Sequence, residues 1–220
     1  MTRYFLVLLT TLLLVSCNNK TKDQQTQRYH DDGRAKPTVT VVPIIDSSSY
    51  EIPWRISDEF TLLVKDRLLK QGDLYLQNNE NFHLSNDDNP FSSNLSWVKK
   101  SFQPSEFVVF LELVEHEDVP IANTIKDPSK ISEAKKAAVN LNVAMRLRII
   151  DIRGDSPKIV LQEMIKDSYF ISNYMDRTDY NIAHWGTDEY KTSPMGIAHS
   201  QFSKHVIERI NDYIILSKSL

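Results

Sequence analysis

Between residues 141 and 149 the chain reads Leu-Asn-Val-Ala-Met-Arg-Leu-Arg-Ile, with Leu141, Val143, Met145, Leu147 and Ile149 at every second place. Successive side chains of a strand leave opposite faces, so this period marks a strand with one buried and one wet face. Arg153-Gly154-Asp155-Ser156-Pro157 then turns the chain, and residues 159–171 return as its hairpin partner. A two-stranded ribbon is not stable alone and needs further strands and a covering layer. The remainder of the chain must supply both.

Residues 38–45, Thr-Val-Thr-Val-Val-Pro-Ile-Ile, are rich in β-branched side chains and give a first strand. Pro43 has no amide hydrogen and suits a strand end or edge. Ser57 is placed to cap a helix with Asp58 and Glu59 in its first turn, favourable beside the positive end of the dipole. Phe60, Leu63, Val64 and Leu68 share one face, and Gly72 supplies the stop. Residues 73–77 read as a short strand, 78–96 as a long Asn/Asp/Ser-rich loop, and 95–102 as one or two helical turns. A buried strand covers 107–113, and residues 116–136 form a second long polar connection before the hairpin. Ser193 and Pro194 open a last helix whose apolar face carries Met195, Ala198, Phe202, Val206, Ile210 and Tyr213. The order β-α-β-(α)-β-β-β-α predicts an α+β fold: a mixed sheet with helices packed on one face.

The amino-terminal stretch follows different rules. Arg3 precedes an apolar run from Phe5 to Val15, interrupted by Thr10 and Thr11. It is shorter than the roughly 20 residues a membrane span needs, and has the length of a signal-peptide core ending at the small Ser16. Residues 1–16 are expected to be a removed signal peptide. Leu14-Val15-Ser16-Cys17 resembles the lipobox of bacterial lipoproteins, in which a diacylglyceryl group joins the cysteine sulfur and the new amino group is acylated, as with palmitate. Several chains hold a protein on a bilayer stably where one does not. Cys17 is the only cysteine, so its lipidation leaves no thiol for a disulfide, a metal site or a nucleophile. The residue after it, Asn18, is not the aspartate that retains many such proteins at the inner membrane, which favours the outer membrane. Residues 17–36 are almost free of apolar side chains and read as a lipidated cysteine with a flexible tether. Residues 37–220 then form one globular domain.

The order of elements and the Asp/Ser-rich loop before the first helix resemble the domain shared by the curli secretion lipoprotein, the lipoprotein activators of penicillin-binding proteins and the amino-terminal domain of the Tol-system periplasmic protein. Lipobox and domain together are also similar to an uncharacterised chlamydial lipoprotein family. The resemblance implies a non-enzyme that binds other envelope proteins. The curli relative builds a barrel from insertions in this domain. The comparable insertion here, 116–136, carries charges throughout and no aromatic residue, unlike a barrel strand.

Chemistry-bearing motifs are sparse. No Gly-x-Gly-x-x-Gly, Walker or Gly-x-Ser-x-Gly pattern occurs, so neither a cofactor nor a catalytic residue is assigned. His199 and His205 stand six apart, on different helix faces. His83, His116 and His184 lie in or beside expected loops, and no metal site is assigned. Glu112, Glu115, Glu117 and Asp118 read as a solvated rim, and Ser200 as an exposed helix residue. A formal charge of −3 argues against nucleic acid. The candidate partner surface is the aromatic loop 169–190, where Tyr174, Tyr180, Trp185 and Tyr190 stand among Asp and Asn. Tyr169 and Phe170 are expected to cap the core, and Trp54 to pack against the first helix. The expected function is a lipid-anchored, non-catalytic protein-binding module, with the membrane and an envelope protein as partners. Two alternatives stay open: a small-ligand or peptidoglycan-binding lipoprotein using a cleft between the sheet and loop 78–96, and an envelope hydrolase.

Overall fold

The computed structural model describes residues 28–78, 84, 88–121, 138–171 and 178–219. The signal peptide, Cys17 and Tyr174 lie outside the described residues. Residues 28–36, expected as the end of the tether, form a closed turn: Tyr29 bridges to Ala35, and Gly33, at φ 83°, donates to the His30 carbonyl.

In chain order the elements are β1 (Thr38–Val41), β2 (Ile45–Asp46), α1 (Ile56–Gln71), β3 (Tyr75–Leu76), α2 (Ser96–Phe102), β4 (Phe107–Pro120), β5 (Val139–Asp151), β6 (Lys158–Ile171), α3 (Asp188–Thr192) and α4 (Pro194–Lys218). The sheet runs β3-β1-β4-β5-β6, with β2 also on β4. β1 lies parallel to β3 and β4, whereas β4, β5 and β6 form an antiparallel meander. The α+β class and mixed sheet are therefore as expected. The first strand is split at Pro43: Val42 donates to Val109 and Ser47 to Leu113, so the break falls at the residue that cannot donate.

Apolar side chains of β1, β4, β5 and β6 meet α1 and α4 in the main core, where Phe60, Phe202, Leu111, Met145 and Ile210 are buried. These two long helices share one face, as expected. The short α2 departs from that rule and packs on the other face, its Val98 and Phe102 against Val108, Phe110 and Ile150. Handedness accounts for this. The chain moves one way along the sheet from β1 to β3, then back past β1 to β4, all parallel. Keeping both crossovers right-handed puts their helices on opposite faces.

Three local expectations are corrected. Ser57 does not cap α1: Arg55 occupies that position without a side-chain bond, and Ser57 lies in the first turn, its carbonyl accepting from Thr61 Oγ1. β4 does not end at residue 113. β5 offers it a partner as far as Val139, and the acidic stretch to Pro120 continues as strand. Leu113 faces Met145 while Glu115 faces Ala144, which leaves Val114 as an extra residue. That bulge reverses the alternation, so His116, opposite Val143, turns inward with the core side chains. Gly72 at φ 75° ends α1, and Ser193 Oγ caps the Gly196 amide at the start of α4, both as expected.

Candidate functional site

Polar side chains converge inside the main core. Glu59 projects from α1 into the sheet–helix interface, on the same face as Ile56 and Phe60. Its Oε2 accepts from the Trp54 indole N–H at 2.8 Å, and its Oε1 from the Tyr190 hydroxyl at 2.7 Å. His199 of α4 places Nδ1 2.7 Å from the same Oε1 and 3.0 Å from the Tyr190 oxygen. His199 Nε2 lies 2.8 Å from Nε2 of His116 on β4. The His116 ring packs on Tyr50 at 4.3 Å between centroids. Exposure is 0 % for His199, 1 % for Glu59 and 3 % for both His116 and Tyr190.

Proton positions follow from the acceptors. A carboxylate oxygen beside His199 Nδ1 requires Nδ1–H there, which leaves the Nε2 lone pair to accept from His116 Nε2–H. His116 Nδ1 is then a bare lone pair, with no partner among the described residues. A second proton on His116 would be desolvated and would face the neighbouring His199 imidazole; both effects lower its pKa, from 6.5 to about 3. Burial, and next the Glu59 charge, push the Tyr190 hydroxyl far above its ordinary value.

Carboxylate, imidazole and hydroxyl groups are the parts of acid–base machinery, but here both ring nitrogens of His199 are engaged within the array. Where a catalytic triad places a nucleophilic hydroxyl on the imidazole, His199 already holds a second imidazole. The nitrogen separation of 2.8 Å is also shorter than the roughly 3.3 Å between two ligands of one tetrahedral zinc at ~2.0–2.1 Å each. Among the described residues no group of three His, Cys, Asp or Glu is placed to hold a metal.

Beside this network, α1 and α4 part to form a cleft of about 510 Å³. Leu63 and Arg67 of α1, Ser200 of α4, Trp185 and the edges of Glu59 and Tyr190 line it. Arg67 Nη2 donates to Ser200 Oγ. Ser200 is thus half-buried rather than an exposed helix residue.

The expected partner-facing rings divide here. Trp185 is half-buried and forms a cleft wall, and half-buried Tyr180 packs edge-on against Trp54 at 5.4 Å. Tyr190 departs from its expected partner-facing place: it lies in the first turn of α3, its amide caught by the Thr187 cap, and points inward to Glu59, so only its edge reaches the cleft. Trp54 packs on the core as expected. Tyr169 faces the helices, with its hydroxyl on Asp167, while its neighbour Phe170 leaves the opposite face and is 66 % exposed rather than capping the core. The cleft expected between the sheet and loop 78–96 involves residues outside the described ones; of that loop, residues 88–95 lie against the sheet. Phe91 and Leu95 pack on the second core cluster, and the buried Arg148 guanidinium fastens the loop through the carbonyls of Pro90, Phe91 and Ser92. The acidic rim is partly engaged: Glu112 pairs with Arg146, and Glu115 with Lys166 at 3.5 Å.

No helix among the described residues is long and apolar enough to cross a membrane. Among solved structures the chain is similar to the hypothetical protein CT253 from Chlamydia trachomatis, at 23 % identity over 82 % of this chain and 98 % of that one, with a TM-score of 0.63. That likeness shows the fold. More distant are the PelC dodecamer from Paraburkholderia phytofirmans (12 % identity, 78 % and 86 % covered, TM-score 0.40) and the lipoprotein GNA1162 from Neisseria meningitidis (10 %, 78 % and 99 %, 0.36). No curated protein matches. Residues 25–218 match one family model, and the chain belongs to that family, the family of unknown function DUF7499.

Proposed function

We propose that this chain is a lipid-anchored lipoprotein of the bacterial cell envelope that acts by binding another envelope protein and catalyses no reaction. The observation that carries it is Leu14-Val15-Ser16-Cys17, which resembles a lipobox and ends in the chain's single cysteine ahead of a folded domain. The buried Glu59–His199–His116 array supports the non-catalytic part, because His199 Nε2 is held by a second imidazole rather than by a nucleophilic hydroxyl. Outer-membrane residence rests on Asn18 after the lipidated cysteine.

Palmitate labelling with mass spectrometry of the mature amino terminus tests the anchor. The expected species begins at an acylated Cys17, and Cys17→Ser abolishes both label and membrane retention. A bare sulfhydryl or a different first residue refutes it. A photocrosslinker replacing Trp185 is expected to trap one envelope protein, and labelling of lipid alone counts against that surface. A second reading, small-ligand binding, is favoured by one observation: the α1–α4 cleft with its half-buried arginine and aromatic wall.

A further inference from the structure

Among the concavities of the described surface, three of similar size differ in their charges. The groove of about 560 Å³ between the end of β6 and the first turns of α4 has no charged lining residue among the described ones. The groove of about 590 Å³ along residues 44–57 holds Arg55, but that guanidinium is paired with Asp58 at 3.7 Å, and Asp46 and Glu51 line the same groove. In the α1–α4 cleft Lys70 is paired with Asp66 and Lys191 with Asp188, whereas Arg67 has no carboxylate among the described residues and hydrogen-bonds only to the Ser200 hydroxyl.

That pair is built for an anion. Ser200 Oγ accepts from Arg67, so its own hydrogen stays available to donate, and it has no acceptor among the described residues. The remaining Arg67 N–H groups form a planar fork that matches the two oxygens of a carboxylate. Leu63 and the half-buried Trp185 add apolar and aromatic surface in the same cavity. Its volume, about 510 Å³, lies within the range of small-ligand sites. We infer that this cleft binds a carboxylate carried on an apolar or aromatic body, with Arg67 and Ser200 holding the carboxylate and Leu63 and Trp185 the body. The source is a free organic acid or the carboxyl end of a peptide. The inference deepens the small-ligand reading and does not depend on the lipid anchor.

The test follows tryptophan indole N–H signals by NMR in the full-length protein in detergent micelles, during titration with N-acetyl-phenylalanine, its amide, and a peptide ending in a free phenylalanine carboxyl. The expected result is a saturable shift at Trp185 with Trp97, on the opposite face of the sheet, unmoved. The amide should bind at least tenfold more weakly than the acid. Arg67→Gln should weaken acid binding by at least tenfold with an unchanged melting temperature, and Arg67→Lys, which keeps charge but loses the fork, by severalfold. Whichever of acid and peptide binds more tightly identifies the source. If Arg67→Gln unfolds, the acid–amide comparison on the unaltered chain still decides. Equal binding of acid and amide, an Arg67→Gln variant within twofold of the parent, displacement by inorganic phosphate below the acid's own Kd, or no saturation would each overturn the inference. None of these touches the anchor, which Cys17 labelling reads separately.

Discussion

Acidification offers a quantitative test of the buried network. His116 is 3 % exposed, and its pKa is depressed from 6.5 to about 3, first by burial and then by His199. In the unfolded chain the imidazole regains its ordinary pKa, so between pH 6.5 and about 3 the unfolded state binds more protons than the folded one. Stability is therefore at its full value above pH 6.5 and falls as the pH drops toward 3. Each pH unit well inside that window is worth about 1.4 kcal/mol, so this group alone lowers stability by about 2 kcal/mol between pH 7 and pH 5. That is a large share of the roughly 5–15 kcal/mol typical of a domain.

Urea unfolding of the parent and of His116→Gln at both pH values isolates the contribution. Glutamine keeps a donor toward His199 Nε2 and cannot titrate in this range. The groups against His116, namely His199 of α4 and Tyr50, and Glu59 of α1 and Tyr190 of α3 behind His199, are common to both proteins, as is the more exposed His205–Asp167 pair. The parent should lose about 2 kcal/mol more than the variant on acidification. Parallel losses in the two proteins would refute the assignment of a neutral, desolvated His116.

Glu59→Leu should cost about 3–5 kcal/mol by urea unfolding, because it strands the donors of Trp54, Tyr190 and His199 in the core, while Glu59→Gln should cost clearly less; equal losses would contradict the bonding scheme. Gly196→Ala places a methyl 2.0 Å from the Tyr190 carbonyl oxygen, so backbone must move, and calorimetry should show a loss of about 1–3 kcal/mol. Arg148→Leu removes the guanidinium that gathers three loop carbonyls, so amide exchange at Phe91 and Ser92 should accelerate by an order of magnitude or more while α4 is unaffected; unchanged exchange would show that the loop does not rely on it.

The frame of the fold was legible because periodicity reports burial. The two-residue period of β5 and the three-to-four spacing of α4 survive any choice of neighbours. The face chosen by α2 was not legible, since it depends on β1 lying between β3 and β4, a relation between segments distant in the chain. His116 was hidden for a similar reason: counting inward positions from Leu111 and Leu113 predicts Glu115 inside, and only the bulge at Val114 reverses the count. Glu59 satisfies the rule for a first-turn acid, yet it also follows Ile56 by three places and precedes Leu63 by four, on the apolar stripe. His199 likewise falls four after Met195 and three before Phe202. A charged residue on the stripe of one helix and a titratable one on the stripe of another was the available signal. Pairing them needed the contact between α1 and α4.

The network's placement bears on what its neighbour can do. Replacing a satisfied buried polar cluster with apolar side chains is often neutral or stabilising, so net stability is weak ground for its presence. What it does uniquely is fix relative position. One carboxylate holds α1 to α3 through Tyr190, to α4 through His199 and, by way of His199, to β4 through His116. The same Glu59 and Tyr190 form the inner wall of the cleft in which Arg67 and Ser200 lie. Gly196 lets α4 meet the Tyr190 backbone at a separation no side chain would allow. The cleft walls are thereby set before any ligand arrives, and binding there need not include the cost of ordering α1 against α4. A buried cluster can in this way serve recognition by holding in place the walls that meet what is recognised.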